Sequence, residues 1–480
     1  MTNILLKADS YKHSHYWMYP ENTQYISSYI EARGGGDYVK FVGLQGFISE
    51  YLLTPFVLED INEAERTLKD HMGSFNRDGW LYILHTYDGY LPLEIKALPE
   101  GTMVPIGVPM VQVRNTDPEC AWLTSFIETA LLRAVWYPST VATISAQCAR
   151  LFFDQLTIKE GMSDEDANEA IKFMLHDFGA RGVSSSESSA IGGFGHLTNF
   201  SGTDTLESIE FARMHYGTEV MPAFSVDATE HSTVTSWGED GECDMYKSMI
   251  AHATKKGSII SIVSDSYDIW NAIEMYGKDL YTDIIDLSVK GGRLVVRPDS
   301  GDPVTTPIEV CQRLGEYFGL HANNYDGYVD GSFHVWPDEG NGYKSLPSFI
   351  RVLQGDGIGI EEIKQIIEKC NEYKISLTNF IFGMGGGLLQ KVNRDTFKFA
   401  MKASARFDGE KWHDVYKNAP GKVSKRGIQV VNEVDGKLTS EYSKSGTNKL
   451  PDLLELVYKN GEIFKEYTLD DLRTDLVRSG

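Results

Sequence analysis

Cysteine is scarce in this chain: five in 480 residues, at positions 120, 148, 243, 311 and 370, scattered and without a CxxC pair. That spacing suggests neither a disulfide framework nor a cysteine zinc site, and a reducing cytosol is the expected compartment. Long hydrophobic runs are also missing. No apolar stretch approaches the roughly 18 to 20 residues of a transmembrane helix, and Lys7, Asp9, Lys12 and His13 interrupt the N-terminus where a signal peptide needs an apolar core. Positive charge is in deficit, 45 Lys and Arg against 68 Asp and Glu, leaving a net charge of −23. Broad association with nucleic acid or an anionic membrane requires a positive surface, so neither is expected as a partner. An anionic substrate must instead meet a local island of Arg and Lys. With no HExxH motif and no clustered Cys and His, a zinc hydrolase is disfavoured.

The composition that remains, 42% hydrophobic and 24% charged, is ordinary for a globular enzyme. The length exceeds a usual single core, so two domains or one decorated barrel are expected. Between Phe173 and Gly387 a short apolar or β-branched run ends seven times in a cluster of Gly, Asp, Ser, Arg or His: 176–182, 199–204, 225–232, 263–268, 296–303, 353–357 and 382–388. Parallel strands ending in such clusters, most of them followed by helix-like sequence, predict an irregular, open α/β barrel of about seven strands. Its chemistry gathers at the carboxyl ends.

The first 150 or so residues lack this rhythm. They mix strand-like pieces at 25–31, 91–97 and 110–114 with a helical stretch at 121–135. After Leu388 the rhythm stops again and basic residues thicken from Lys391 to Arg426, a run that also suits a solvated face. The expected domains are an N-terminal α/β domain over 1–165, joined by the C-terminal segment 390–480, and the barrel over 166–389. Within the barrel, Ile360, Ile363, Ile366, Ile367 and Cys370 share one helical face, and 307–318 behaves similarly, so both are expected crossover helices. The segment 321–346 is full of turn dipeptides around Phe333 and Val335 and predicts an inserted hairpin.

The clusters suggest a ligand. Gly383 to Gly387, after a strand-like run, offers bare backbone N–H groups at a helix start, suited to phosphate or equally to a tight turn. Gly355-Asp356-Gly357 places a carboxylate where a sugar diol can approach, or forms an Asx turn. Arg297 and Asp299 flank Pro298, which fixes its own φ and biases Arg297 to extended backbone. Asp265 and Asp268 suit a magnesium shell, and His231 stands beside Glu230. Together these fit a phosphorylated ribose, with Mg²⁺ held by a few carboxylates and substrate phosphates.

The segments 5–12, 115–120, 175–179, 181–185, 202–205, 230–233, 263–269, 297–301, 354–357 and 385–391 carry a closer likeness. Across nearly its whole length the chain resembles the nicotinamide phosphoribosyltransferases, type II phosphoribosyltransferases. The resemblance implies phosphoribosyl transfer from phosphoribosyl pyrophosphate (PRPP) to nicotinamide, giving the mononucleotide and pyrophosphate, in a cytoplasmic homodimer with shared active sites. It implies that Phe178 and a partner's Tyr11 stack on the pyridine ring, that Asp204 reads the carboxamide and repels a carboxylate, and that Ser261 and Arg297 complete that pocket. Asp299, Gly355 and Asp356 would hold the ribose. Gly385, Gly386, Arg394, Arg181 and Asp9 would serve the ribose and phosphate, and Lys402, Lys417 and Lys422 the pyrophosphate or ATP. It further implies phosphorylation of His231 by ATP as co-substrate, with Asp265 and Glu230 assisting, and Mg²⁺ at Asp265 and Asp299. The chain departs from vertebrate members at Ala180, Asp227 and Met384 and in the 321–346 insert.

Alternatives remain at this point. A nicotinate or quinolinate phosphoribosyltransferase would want a cation or neutral donor at position 204. An aldol or isomerase barrel would want a Schiff-base Lys or a carboxylate base on a strand. A non-catalytic binding protein on the same scaffold would not need the complete polar set.

Overall fold

The computed structural model describes residues 3–218, 220–320, 326–329, 332–334, 342–419, 422–443 and 451–473. Two compact units emerge: Met1–Thr143 with Glu210–Val220 and Val392–Arg473, and Ile144–Ile209 with Met221–Lys391. The first division falls at 143/144, within the continuous helix Glu128–Asp154, where no linker composition marks it.

The second unit contains the rhythm seen in the sequence. Seven short strands are β1 (Leu175–Asp177), β2 (Gly202–Thr203), β3 (Asp227–Ala228), β4 (Ile259–Val263), β5 (Arg293–Arg297), β6 (Ile350–Gln354) and β7 (Phe380–Met384). They pair in the order β2-β1-β7-β6-β5-β4-β3, and every pair is parallel. A parallel bridge between Gly202 and Phe224, three residues before β3, brings the two edges together, so the sheet curls into an irregular barrel. Leu294, Val295 and Val296 are all buried, as expected of a parallel strand covered on both faces.

The two ends of the strands are built differently. At the amino end, the helix Glu242–Lys256 stops at Gly257, whose φ of +62° is left-handed. A Cβ there would lie 2.4 Å from the Lys290 carbonyl oxygen, so the turn into β4 admits glycine alone. At the carboxyl ends, the polar clusters take over. The helices Thr305–Phe318 and Ile360–Tyr373 bury the expected stripes, including Ile308, Cys311 and Leu314 on one and Ile363, Ile366 and Cys370 on the other. The expected hairpin pairs Asp326–Val329 with Ser332–His334; the rest of that insert up to 341 lies outside the described residues.

The first unit is built on a mixed-origin antiparallel sheet. Its order is Trp412–Asp414, Ala400–Phe407, Tyr25–Glu31, Pro109–Asn115, Leu93–Ala97, Glu455–Lys459 and Glu462–Ile463. Strands from both ends of the chain therefore interleave, with Tyr25–Glu31 in register against Ala400–Phe407. Beneath the sheet, Trp80 is fully buried and meets Trp122, Phe126 and Phe56 edge-on at 4.8, 4.9 and 5.5 Å. Such edge-to-face pairs each add about 0.5–1.5 kcal/mol beyond their buried area.

Candidate active site

The carboxyl end of β1 begins the site. Asp177 is fully buried, Phe178 follows it, and the Phe178 N–H donates to the Met384 carbonyl of β7 at 3.1 Å. The Phe178 ring packs against glycine backbone. A Cβ on Gly383 would stand 2.1 Å from its Cε2, and one on Gly355 would stand 3.4 Å away. Two glycines, from β7 and from the loop after β6, thus make room for one aromatic ring, and the Arg297 guanidinium lies 6.0 Å from the ring centroid. On the other side of β1, Asp204 N–H donates to the Asp177 carbonyl at 3.0 Å, and the Ser225 hydroxyl donates to the Asp204 carboxylate.

Beyond the ring, charges are held in opposite-sign pairs. Arg297 at the end of β5 donates to Asp299 Oδ1 through Nε at 3.0 Å and Nη2 at 2.6 Å. The second Asp299 oxygen lies 3.8 Å from His231 Nδ1, too far for a hydrogen bond, while His231 Nε2 and Asp265 Oδ1 are 3.2 Å apart. His231 opens the helix His231–Thr235 after β3, and its side chain is half exposed, whereas Asp265 after β4 is almost fully covered. Phe178, Gly355, Arg297, Asp299, His231 and Asp265 therefore form one continuous run of contacts. Gly385 and Gly386 join it: a Cβ on Gly385 would lie 3.4 Å from the Phe178 carbonyl oxygen, and Gly386 lies beside Gly182. The helix they open, Gly386–Leu389, is a single turn.

Several residues are used differently from the expectation. Asp268 is the N-cap of the helix Ile269–Gly277, its Oδ1 accepting from Trp270 and Asn271, so one of its carboxylate oxygens serves the backbone. Glu230 occupies the N-cap position of the histidine's own helix without a side-chain cap bond, and its carboxylate accepts from the Ser232 hydroxyl rather than from the His231 ring. Ser261 lies within β4, buried, between Ala228 and Val295 in register. Asp356 and Arg181 are exposed at loop positions. His13-Ser14-His15 does form an HxH pattern, but His13 packs against Phe126 and is held neutral by burial, its pKa lowered to about 4, and His15 bonds Ser125. No group of three or more metal-ligating side chains occurs among the described residues.

The remaining predicted residues belong to the first unit. Tyr11 is exposed and meets His15 edge-on. The Asp9 carboxylate accepts from Thr129, and Arg394 pairs with Asp395. Lys402 is exposed and its ammonium donates to the Met401 carbonyl at 2.8 Å. Its pKa is lowered, first by burial and then by the neighbouring cations Arg33, Lys12 and Arg394, against a smaller opposing pull from Glu128 than burial exerts. The Lys417 N–H donates to the Ser424 hydroxyl and its carbonyl accepts from the Ser424 N–H, and the Lys422 side chain lies outside the described residues. Sequence reading missed Arg33, far from the other cations in the chain, and Ser225, though Ser225 opens a cluster already singled out.

Comparison with known proteins decides what this arrangement is. The NAPRTase profile, nicotinate phosphoribosyltransferase, matches residues 173–462. The chain belongs to that family. Residues 3–95 also match the N-terminal domain of nicotinamide phosphoribosyltransferase. A relative named nicotinamide phosphoribosyltransferase from Xanthomonas campestris is 41% identical, covering 98% of both chains. One of the same name from Acinetobacter baylyi is 32% identical over 99% of this chain and 97% of its own. In fold, the chain is similar to human nicotinic acid phosphoribosyltransferase at TM-score 0.54, with 16% identity and coverage of 98% and 93%. The nicotinate-nucleotide pyrophosphorylase of Pyrococcus furiosus gives 0.56 at 15% identity, covering 99% and 95%. This enzyme is a phosphoribosyltransferase, hence a pentosyltransferase. None of its helices, among the described residues, is long and apolar enough to cross a membrane.

Proposed function

We propose that this phosphoribosyltransferase serves NAD salvage by transferring the phosphoribosyl group of PRPP to nicotinamide, with ATP hydrolysis coupled through His231, as a cytoplasmic homodimer with shared sites. The single observation that carries the choice of base is Asp204. Its backbone is bonded to the residue preceding Phe178, and its carboxylate accepts from Ser225. A carboxylate at that place accepts from a carboxamide NH₂ and repels a carboxylate ligand. The nearby cation does not offset this, because Arg297 is already committed to Asp299. The names of the relatives at 41% and 32% identity agree with this base.

In the transfer, the pyridine nitrogen of nicotinamide forms a bond to ribose C1 as the C1–O bond to pyrophosphate breaks, and the electron pair leaves with pyrophosphate. Phe178 holds the ring flat and Asp204 sets its rotation, which aligns the nitrogen with C1. Asp299 and Asp356 are assigned the ribose hydroxyls, Gly385 and Gly386 the 5′-phosphate, and the cations around Lys402 the departing charge. Asp265 and Asp299 are two carboxylates fit to hold Mg²⁺ together with substrate phosphates, whose negative charge the ion would draw off. In the ATP-dependent cycle, Asp265 orients the His231 ring through Nε2, leaving the other nitrogen to attack the terminal phosphoryl group of ATP as ADP departs.

Product analysis tests the reading. With PRPP, Mg²⁺ and either base, the mononucleotide should form from nicotinamide at least about 100-fold faster than from nicotinate, and ATP should stimulate it. His231→Ala should abolish the stimulation and leave slow basal transfer. A preference for nicotinate would overturn the base assignment, and full ATP stimulation in the variant would overturn the histidine's role.

A further inference from the structure

Asp177 is a carboxylate with no exposed surface, sitting at the last position of β1 among glycines. A Cβ on Gly193 would lie 3.0 Å from its Oδ2, and one on Gly179 would lie 3.0 Å from its Oδ1, so the chain leaves space that the acid fills. Burial pushes its pKa up to about 6, and the like charges of Asp204 and Glu207 add to that, against the pull of the Gly179 N–H and the Thr205 hydroxyl. A charge kept under such conditions costs stability unless its geometry is needed.

Its bonds show what that geometry holds. Oδ1 accepts from the Gly179 N–H at 2.7 Å, closing an Asx turn around Phe178. Its own carbonyl accepts from the Asp204 N–H at 3.0 Å. Its backbone stands in register with Thr203 of β2 and Met384 of β7, so the loops carrying Asp204, Phe178 and Gly385 all leave the sheet beside it. We infer that Asp177 is a positioning residue that ties the ring-stacking turn and the amide-reading loop into one unit, fixing the spacing between Phe178 and Asp204. This rests on the reading of those two side chains as the nicotinamide contacts. The effect on substrate passes through the turn and not through the acid's charge, since the carboxylate is covered.

The test uses the full-length enzyme with Asp177→Ala and Asp177→Asn, each alone and with Asp204→Ala. Asparagine keeps an oxygen for the Gly179 N–H; alanine does not. The expected result is a KM for nicotinamide raised about tenfold in Asp177→Ala, with kcat changed less, and restored to within about threefold in Asp177→Asn. The losses from Asp177→Ala and Asp204→Ala should be non-additive, because the first releases the Phe178 turn that holds the ring whose amide the second reads. A merely structural acid would alter thermal stability but not this KM-against-kcat split or the coupling. The inference is overturned if Asp177→Ala leaves the KM within about twofold of wild type or if the two losses multiply. It is equally overturned if Asp177→Asn, the isosteric variant that folds most readily, shows the full tenfold loss, for then charge and not the turn acts. A wild-type enzyme inert toward nicotinamide would overturn the functional reading instead, before any variant is made.

Discussion

The two units place their charges in opposite ways. In the barrel unit Arg297 pairs with Asp299, and the His231 ring lies 3.2 Å from Asp265. In the sheet unit Lys402 donates to a carbonyl and has Arg33, Lys12 and Arg394 near enough to lower its pKa, although those three have carboxylate neighbours of their own. Opposite pairs fix geometry while adding little net field, which suits a neutral ring and a sugar. The cations near Lys402 are each offset by a carboxylate, and Glu128 acts on Lys402 more strongly than any one of them, so the group as it stands is a cluster of ion pairs that an anionic substrate would have to compete for. Under the proposed function, the difference assigns selection of the base to shape around Phe178 and attraction of the anion to the cations around Lys402.

The comparison breaks most sharply at Gly383. A methyl group there meets the Phe178 ring at 2.1 Å and has to displace it. Gly383→Ala should lower kcat/KM for nicotinamide by about 100-fold or more while the KM for PRPP moves little; equal losses for both substrates would deny that the ring slot is separate from the anion field. Asp204→Asn comes next. It removes the charge but keeps an acceptor, so the preference for nicotinamide over nicotinate should fall by about 10- to 100-fold in competition assays. In the sheet unit, Lys402→Met should raise the KM for PRPP about tenfold and flatten its dependence on salt, leaving base selectivity intact. A change in base selectivity would erase the division of labour.

The smallest effect concerns stability. His196 is fully buried in the barrel unit, accepting from or donating to Ser145 through Nδ1 and reaching the Gly202 carbonyl through Nε2, and burial lowers its pKa to about 3. The folded state therefore keeps it neutral while the unfolded chain protonates it near pH 6.5, so stability is lost as pH falls from there toward 3. Relative to His196→Gln, wild type should lose about 1.4 kcal/mol per pH unit over that window in denaturant titrations. The sheet unit holds a group of the opposite sense: Glu100, pushed up to about 7 by burial, accepts from Gly43, Gln45 and Tyr216. Its folded state binds the proton more tightly than the unfolded chain, so its contribution weakens as pH rises from about 4.5 to about 7.

Much of the barrel was legible because each strand announces itself twice, by a β-branched run and by the polar cluster that ends it. The crossover helices were legible for a similar reason, through stripes such as Ile363, Ile366 and Cys370. Asp268 was read for chemistry and serves as a helix cap, because an acid before a helix has the same local sequence whether it faces a ligand or its own backbone N–H groups. Asp177 and Ser225 were given no role, and Gly383 was read only as part of a glycine run for phosphate or a turn. Nothing near them in the chain says that a ring lies on Gly383, that Asp177 is covered, or that Ser225 meets Asp204 from 21 residues away.

Local order was thus determined by the sequence alone: strand and helix periods, the glycine turns at the amino ends, and the loops that carry reactive side chains, all set by neighbours within a few residues. Tertiary structure alone decided which loops meet, which acids are paired, and how strands from the two ends of the chain interleave in one sheet. The physical reason is that burial and Coulomb interaction depend on distance through space, and residues such as Lys12 and Lys402 become neighbours only after the sheet has formed.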